Sequence, residues 1–236
     1  MVARRLALLA MVVVCLALSS SVWAGTLTFN GFNAGGQGTL NFNPGIGNSL
    51  TIGAGHGANG ALVTDFLNTY GICSGDCALT GGYLTLTSGP ETSGFHGGVP
   101  AIFSYSFGAG GTIDIFGKIP TLGINSSSLL FSASFLPGTT FSGAGTVGSF
   151  LGQLNIASVI LNAALGTYHY TGASNDDLSF SLSDSCATGG KCSGSVIQST
   201  TSLQTIPEPA TLSVLGCGLF AFGAGLRRKM VARLGA

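Results

Sequence analysis

Charge is what this chain has least of. Only 7% of its 236 residues are charged, eight basic and eight acidic. Between residues 25 and 205 the bases shrink to Lys118 and Lys191, without an arginine. They face Asp65, Asp76, Glu91, Asp114, Asp176, Asp177 and Asp184, which leaves that stretch at −5. Two lysines cannot neutralise a run of phosphates, so nucleic acid is excluded as a partner. Lack of charge is not disorder here, because hydrophobic residues make up 45% of the chain and disorder goes with low hydrophobicity and high net charge. The single tryptophan, Trp23, lies near the start. That argues against a conventional aromatic-platform carbohydrate module, leaving Tyr70, Tyr83, Tyr105, Tyr168 and Tyr170 as the only substitutes. Catalytic signatures are missing too. There is no Gly-x-Ser-x-Gly elbow and no His-Glu-x-x-His, and His56, His96 and His169 are far apart in sequence. Seven scattered acids, Glu91 among them, form no evident pair of the kind glycoside hydrolysis needs.

The two ends of the chain are more explicit. Met1–Ala24 begins with Arg4-Arg5, continues as an apolar run over 6–18 and exits through Val22-Trp23-Ala24. That is the layout of a secretory signal peptide, cut between Ala24 and Gly25. At the other end, Ile206-Pro207-Glu208-Pro209 precedes an uncharged apolar stretch, 210–226, and then Arg227-Arg228-Lys229. Seventeen residues is the short end of what spans a bilayer as a helix. The prolines keep any helix from running upstream, and the basic cluster holds its end in the cytoplasm as a stop-transfer signal.

This order of short Pro-Glu-Pro motif, membrane helix and basic end resembles the PEP-CTERM sorting signal of Gram-negative bacteria that make exopolysaccharide, over residues 206–233. The resemblance implies a membrane peptidase, an exosortase, that recognises Pro207, Glu208 and Pro209 and cuts nearby. It further implies inner-membrane anchoring before processing, then release to the cell surface or the extracellular matrix. Three segments are therefore expected: a signal peptide over 1–24, an exported domain over 25–205, and a sorting and anchor segment over 206–236.

Of six cysteines, Cys15 and Cys217 belong to the apolar ends. The other four, Cys73, Cys77, Cys186 and Cys192, are an even set in a chain that reads as exported, so they are disulfide candidates. Four cysteines allow three pairings. Local bonds, 73 with 77 and 186 with 192, are favoured because each pair brackets a small glycine-containing loop. A four-thiolate zinc site would need tighter knuckles and a reducing compartment.

Within 25–205, apolar and small polar residues alternate with period two at 26–30, 38–43, 49–53, 83–87, 101–107, 112–116, 129–135, 167–171, 178–182 and 195–201. Glycine-rich breaks fall at 34–36, 108–111 and 143–145. Many short strands with one apolar face each predict an all-β fold, a two-sheet antiparallel sandwich or jelly roll. Residues 61–70 break the alternation. Leu62, Val63, Phe66, Leu67 and Tyr70 share the spacing of one helical face, so a short helix is expected there. Residues 157–165 read either as a helical turn or as a strand with an irregular end. The run Gly53-x-Gly55-x-x-Ala58 matches a dinucleotide fingerprint in form only, because glycine is abundant and no parallel βαβ unit follows.

The sequence therefore points to a non-enzymatic exported protein of the cell envelope or matrix, with no catalytic residues, metal or cofactor. Its expected partners are the exosortase, the export machinery, the membrane and extracellular polysaccharide. Rival readings are a secreted carbohydrate- or calcium-binding module, with Asn175, Asp176, Asp177 and Asp184 as oxygen ligands, or a secreted glycan hydrolase.

Overall fold

The computed structural model describes residues 26–53, 60–68, 77–98, 101–166, 174–182, 186 and 188–204. The expected signal peptide and the sorting segment lie outside them, as does the alternating stretch 167–171. Gly25–Thr205 is a compact unit, and it is built almost wholly of strands. They are β1 (Thr26–Phe42), β2 (Thr51–Ile52), β3 (Ala61–Asn68), β4 (Cys77–Ser88), β5 (Glu91–Gly97), β6 (Ile102–Phe107), β7 (Gly110–Ile119), β8 (Ile124–Phe135), β9 (Thr139–Ala144), β10 (Val147–Leu161), β11 (Asn175–Leu182) and β12 (Cys192–Gln204). Every pairing is antiparallel. Helix among the described residues is limited to short 3-10 turns, at Pro120–Leu122, at Ala163–Leu165 and at Cys186 and Thr188. The fold is all-β, as the alternation predicts.

The strands run in the order β11-β12-β1-β2-β4-β7-β8-β10-β9-β6-β5, with β3 bridging β1 and β4, and β10 also pairs β11. The last pairing closes a ring, from which β9, β6 and β5 extend as a flap. Strand β10 makes this possible by changing partners along its length. Residues 147–153 pair with β11 and 147–151 with β9, whereas Leu154 to Leu161 pair with β8. β8 and β9 follow β10 almost as one interrupted strand, and Leu136 N–H donates to the Gln153 carbonyl (2.8 Å) where the interruption falls. Bends of this kind carry strands from one layer to another.

Gly152 sits at that bend because a Cβ there would run into the Phe135 ring. Gly38 in β1 has φ +87 and packs against the Ala61 backbone, which only glycine allows.

Rings from strands that are not neighbours meet in the interior. Phe42 of β1 stands edge-on to Tyr105 and Phe107 of β6 and Phe141 of β9, with centroids at 5.0, 5.5 and 6.1 Å. At the other end of the core, Phe29 of β1 meets Phe131 of β8 at 5.8 Å. Such pairs add to the burial of area itself.

The helix expected over 61–70 is not formed. Ala61–Asn68 is strand β3, pairing with β1 and β4. Its register against β4 slips between Val63 and Asp65, so the buried residues are Ala61, Val63 and Phe66. Across that slip β4 advances four residues, from Gly82 to Ala78, while β3 advances two; such an irregularity resets the alternation, and the resulting spacing imitates a helical face. Residues 157–165 resolve into the irregular end of β10 followed by a 3-10 turn, capped where the Asn162 side chain accepts from Ala164 N–H. The glycine-rich 34–36 stretch does not divide two strands either. It lies inside β1, where the register against β12 shifts between Phe32 and Gln37.

Phe141 touches Phe42, Phe103, Tyr105 and Phe180, so it joins the flap to the ring. Phe141→Ala should cost about 3–5 kcal/mol, read as a lower urea midpoint with an unchanged slope.

Candidate functional site

Of the residues singled out from the sequence, Pro207, Glu208, Pro209, Arg227, Arg228, Lys229 and Cys73 lie outside the described residues. Cys77 opens β4, is buried and is disulfide-bonded. Cys186 and Cys192 differ from the expected bridge. Both are free thiols in the structure, wholly buried and hydrogen-bonded to each other side chain to side chain.

Around these two thiols the structure gathers titratable groups that are distant in sequence. Cys192 begins β12 opposite Phe42. The Tyr105 hydroxyl on β6 donates to the Cys186 carbonyl (3.2 Å). Glu91, which starts β5, is buried with one carboxylate oxygen accepting from Gly45 N–H (2.7 Å). His96 of β5 lies over Gly189, in the loop between the cysteines.

The electrostatics follow from the crowding. Hydrogen bonding from Cys192 holds the Cys186 thiol below its usual range. Cys192 is pushed up by the same bond, then by burial and by the charges of Cys186 and Glu91. Tyr105 is pushed up to about 12, by burial first and then by Cys192, Cys186 and Glu91.

A second buried polar group sits at the bend. On β11, Asp176, Leu178, Phe180 and Leu182 face inward while Asp177 faces solvent. Neighbouring strand residues point to opposite faces, so Asp176 and Asp177 cannot chelate one calcium ion. Asp184, the remaining carboxylate proposed as a ligand, lies outside the described residues. No cluster of three metal-ligating side chains occurs among the described residues. Asp176 accepts from the Thr201 hydroxyl (2.7 Å) through Oδ1, while Oδ2 has no partner. Gly152 stands opposite it on β10. Burial raises its pKa from 3.8 to about 7, the Thr201 bond opposes this, and Asp177 adds to it.

The tyrosines offered as sugar platforms separate as well. Tyr105 is in the core and cannot receive a ligand there. Tyr83 is half-buried on β4, stacked on its cross-strand neighbour Phe116 with centroids at 5.2 Å and planes at 16°. Tyr70, Tyr168 and Tyr170 lie outside the described residues.

Strands β5, β6, β9, β10, β11 and β12 are paired side by side and share one solvent-facing surface. One cross-strand row reads Phe95, Ser104, Ser142, Ser149, Ser179, Gln198. Exposed Ile102, Val147 and Leu151 are interleaved with further hydroxyls in the adjacent rows. Asp177 is the only charged side chain in these three rows. The class defined so far is an all-β antiparallel protein with a buried dithiol at one end of its core and a hydroxyl-rich face of very low charge. No known protein family, curated protein or solved structure matches the chain.

The sequence reading missed the convergence of Glu91, Tyr105, Cys186 and Cys192. Its one advance signal is the inward alternation of Phe103, Tyr105 and Phe107, which places a phenol in the core. Asp176 yields the sharper prediction. Below pH ~4 it is protonated folded or unfolded, and stability does not depend on it. Between pH ~4 and ~7 only the folded form keeps the proton, so stability falls by about 1.4 kcal/mol per pH unit and levels off above ~7. Asp176→Asn should remove that slope and raise the urea midpoint at pH 8 more than at pH 4.5. Equal shifts at both would assign the proton elsewhere.

Proposed function

We propose that this chain is an exported, non-enzymatic protein of the cell envelope or extracellular matrix, sorted through its C-terminal segment by an exosortase. In this reading 1–24 is removed on export, and 206–236 holds Pro207, Glu208 and Pro209 at the outer side of the inner membrane until the tail is cut. Arg227, Arg228 and Lys229 keep the last residues on the cytoplasmic side. The body that remains is read as a two-layer β-sandwich, with β10, which changes partners along its length, passing from one layer to the other.

One observation supports the matrix role of that body: the hydroxyl ladder on its outer face. A surface of Ser, Thr and Gln with scattered aliphatic side chains and a single carboxylate, Asp177, suits an uncharged polysaccharide, whose rings present hydroxyls at their edges and C–H bonds on their faces. Each contact is weak, and a wide face against a repeating polymer gains by multiplicity. The carbohydrate-binding alternative merges with this reading, because the polymer-binding surface would be the outer sheet and not a tyrosine cleft.

Two measurements test the proposal separately. Replacing Glu208 or Pro209 with alanine should leave an unprocessed, membrane-bound form in the native host, and normal processing of both variants would defeat the sorting assignment. For the face, electrophoresis through a gel containing the host's neutral polysaccharide should retard the wild type. The Ser142→Lys/Ser149→Lys variant should lose most of that retardation, several-fold in apparent affinity. Wild-type mobility unaffected by the polymer would remove the matrix-binding role and leave sorting untouched.

A further inference from the structure

Cys186 and Cys192 are held side chain to side chain with no exposed surface. Three strands and a loop enclose them. Cys192 is fixed in the β1–β12 ladder against Phe42, and Phe42 in turn stands edge-on to Tyr105 at 5.0 Å. Tyr105 pins Cys186 from the other side by donating to its carbonyl (3.2 Å). Gly189 N–H points back to the same carbonyl (3.4 Å), so the intervening loop is already curled. Its outer surface is covered at Gly189 by His96.

Two thiols in contact at the ends of a preformed loop are arranged for a bond, yet no oxidant can approach them. Thiol–disulfide exchange needs an in-line approach of a third sulfur, and buried structural cysteines are inert to it. We propose that Cys186 and Cys192 are a fold-gated disulfide site: the bond forms with a low-molecular-weight disulfide or a thiol oxidoreductase only before β12 docks on β1, and the closed fold then preserves whichever redox state it captured.

The chemistry balances without a further reactant. The Cys186 thiolate attacks the oxidant disulfide, releasing one thiol and leaving a mixed disulfide on Cys186. Cys192 sulfur then displaces the second thiol, and its proton leaves to solvent or to the departing thiolate. Two cysteine thiols are oxidised by two electrons, and one disulfide is reduced to two thiols. The two sulfurs can exchange roles without altering this balance, because the reaction takes place before the fold closes around them. The inference stands on burial and contact, and does not need the sorting assignment to be right. If the chain is exported, the captured state is the oxidised one, because the exterior compartments are oxidising.

The test uses the purified protein in its dithiol form, read by peptide mass mapping of the Cys186 and Cys192 peptides alone. In buffer, alkylation of both by a maleimide should be about 100-fold or more slower than in denaturant, since it must await local opening. Oxidised glutathione added to folded protein should leave both as thiols. The same reagent present during refolding should yield the 186–192 linked peptide, and the linked protein should melt several degrees higher. Rapid alkylation or oxidation of the folded dithiol would overturn the gate. Refolding with oxidised glutathione that leaves the two cysteines as separate mixed disulfides would overturn the pairing. Cys186→Ser, which retains Tyr105's carbonyl acceptor, should fold and show no linked peptide. Glutathionylation of its Cys192 in the folded state would overturn the gate independently.

Discussion

Between residues 151 and 154 strand β10 gives up one set of partners and takes another, and most of the architecture follows from that exchange. Its first half lies between β9 and β11, and its second half runs along β8. If β10 stayed straight, the sheet would be an open one with two unpaired edges, which exposes backbone groups to pairing with other chains. Because it bends, β11 returns to β10 and the ring closes. The bend requires a residue without a side chain under the Phe135 ring, which Gly152 supplies. It also leaves Asp176, opposite Gly152, facing a crowded interior with one oxygen unpaired. An uncompensated carboxylate in the core would cost several kcal/mol, and keeping the proton avoids most of that penalty.

The scarcity of charge and the interior fit the same constraint. With very few ionic groups to place, the sequence covers its solvent-facing sheet surfaces with serine and threonine, whose hydroxyls can bond to water, to a neighbour or to backbone. The bulge in β10 shows this locally. Ser158 donates to the Asn155 carbonyl (2.7 Å) and its hydroxyl also receives Ser134 N–H (2.8 Å), so the irregular stretch keeps its backbone satisfied. Inside, phenylalanine fills the space between layers. The two inward carboxyls are handled differently: Glu91 by a backbone N–H from Gly45, Asp176 by a hydroxyl from Thr201 and a retained proton.

Strict alternation made much of this visible in advance. Residues 112–116, 129–135, 178–182 and 195–201 fall within strands of the structure, and 101–107 does so from Ile102 onward, because one buried face imposes period two on any strand it includes. The failures occur where pairing slips. After Val63 the irregular pairing of β3 with β4 gives a strand an apparent helical face, and in β1 a glycine-rich irregularity looks like a turn. Local spacing cannot distinguish a bulged strand from a helix turn, since both place apolar residues three apart; the partner strands decide. The site was harder to read. That Cys186 and Cys192 would meet follows from their short separation, but Tyr105 and Glu91 arrive from strands 80 to 100 positions earlier. Only the return of β6 and β5 beside the β1–β12 end brings them there. Similarly, adjacency of Asp176 and Asp177 looked like a ligand pair until the strand sent them to opposite faces.

The buried dithiol and the hydroxyl face have different tolerances, and this bears on how the two could coexist in an envelope protein. A face that holds a polymer by many weak contacts can lose one serine with little effect, since the total depends on their number. The cysteine end has no such redundancy, because Tyr105, Phe42 and the 186–192 loop are a single packed cluster in which each member positions the next. Sequence change should therefore be easy across the face, provided it adds no charge, and difficult around Tyr105. Low charge at the centre of the face is the property that must persist: Asp177 lies in a flanking row, whereas a lysine or carboxylate set in the middle row of hydroxyls would hold water where a neutral ring has to lie.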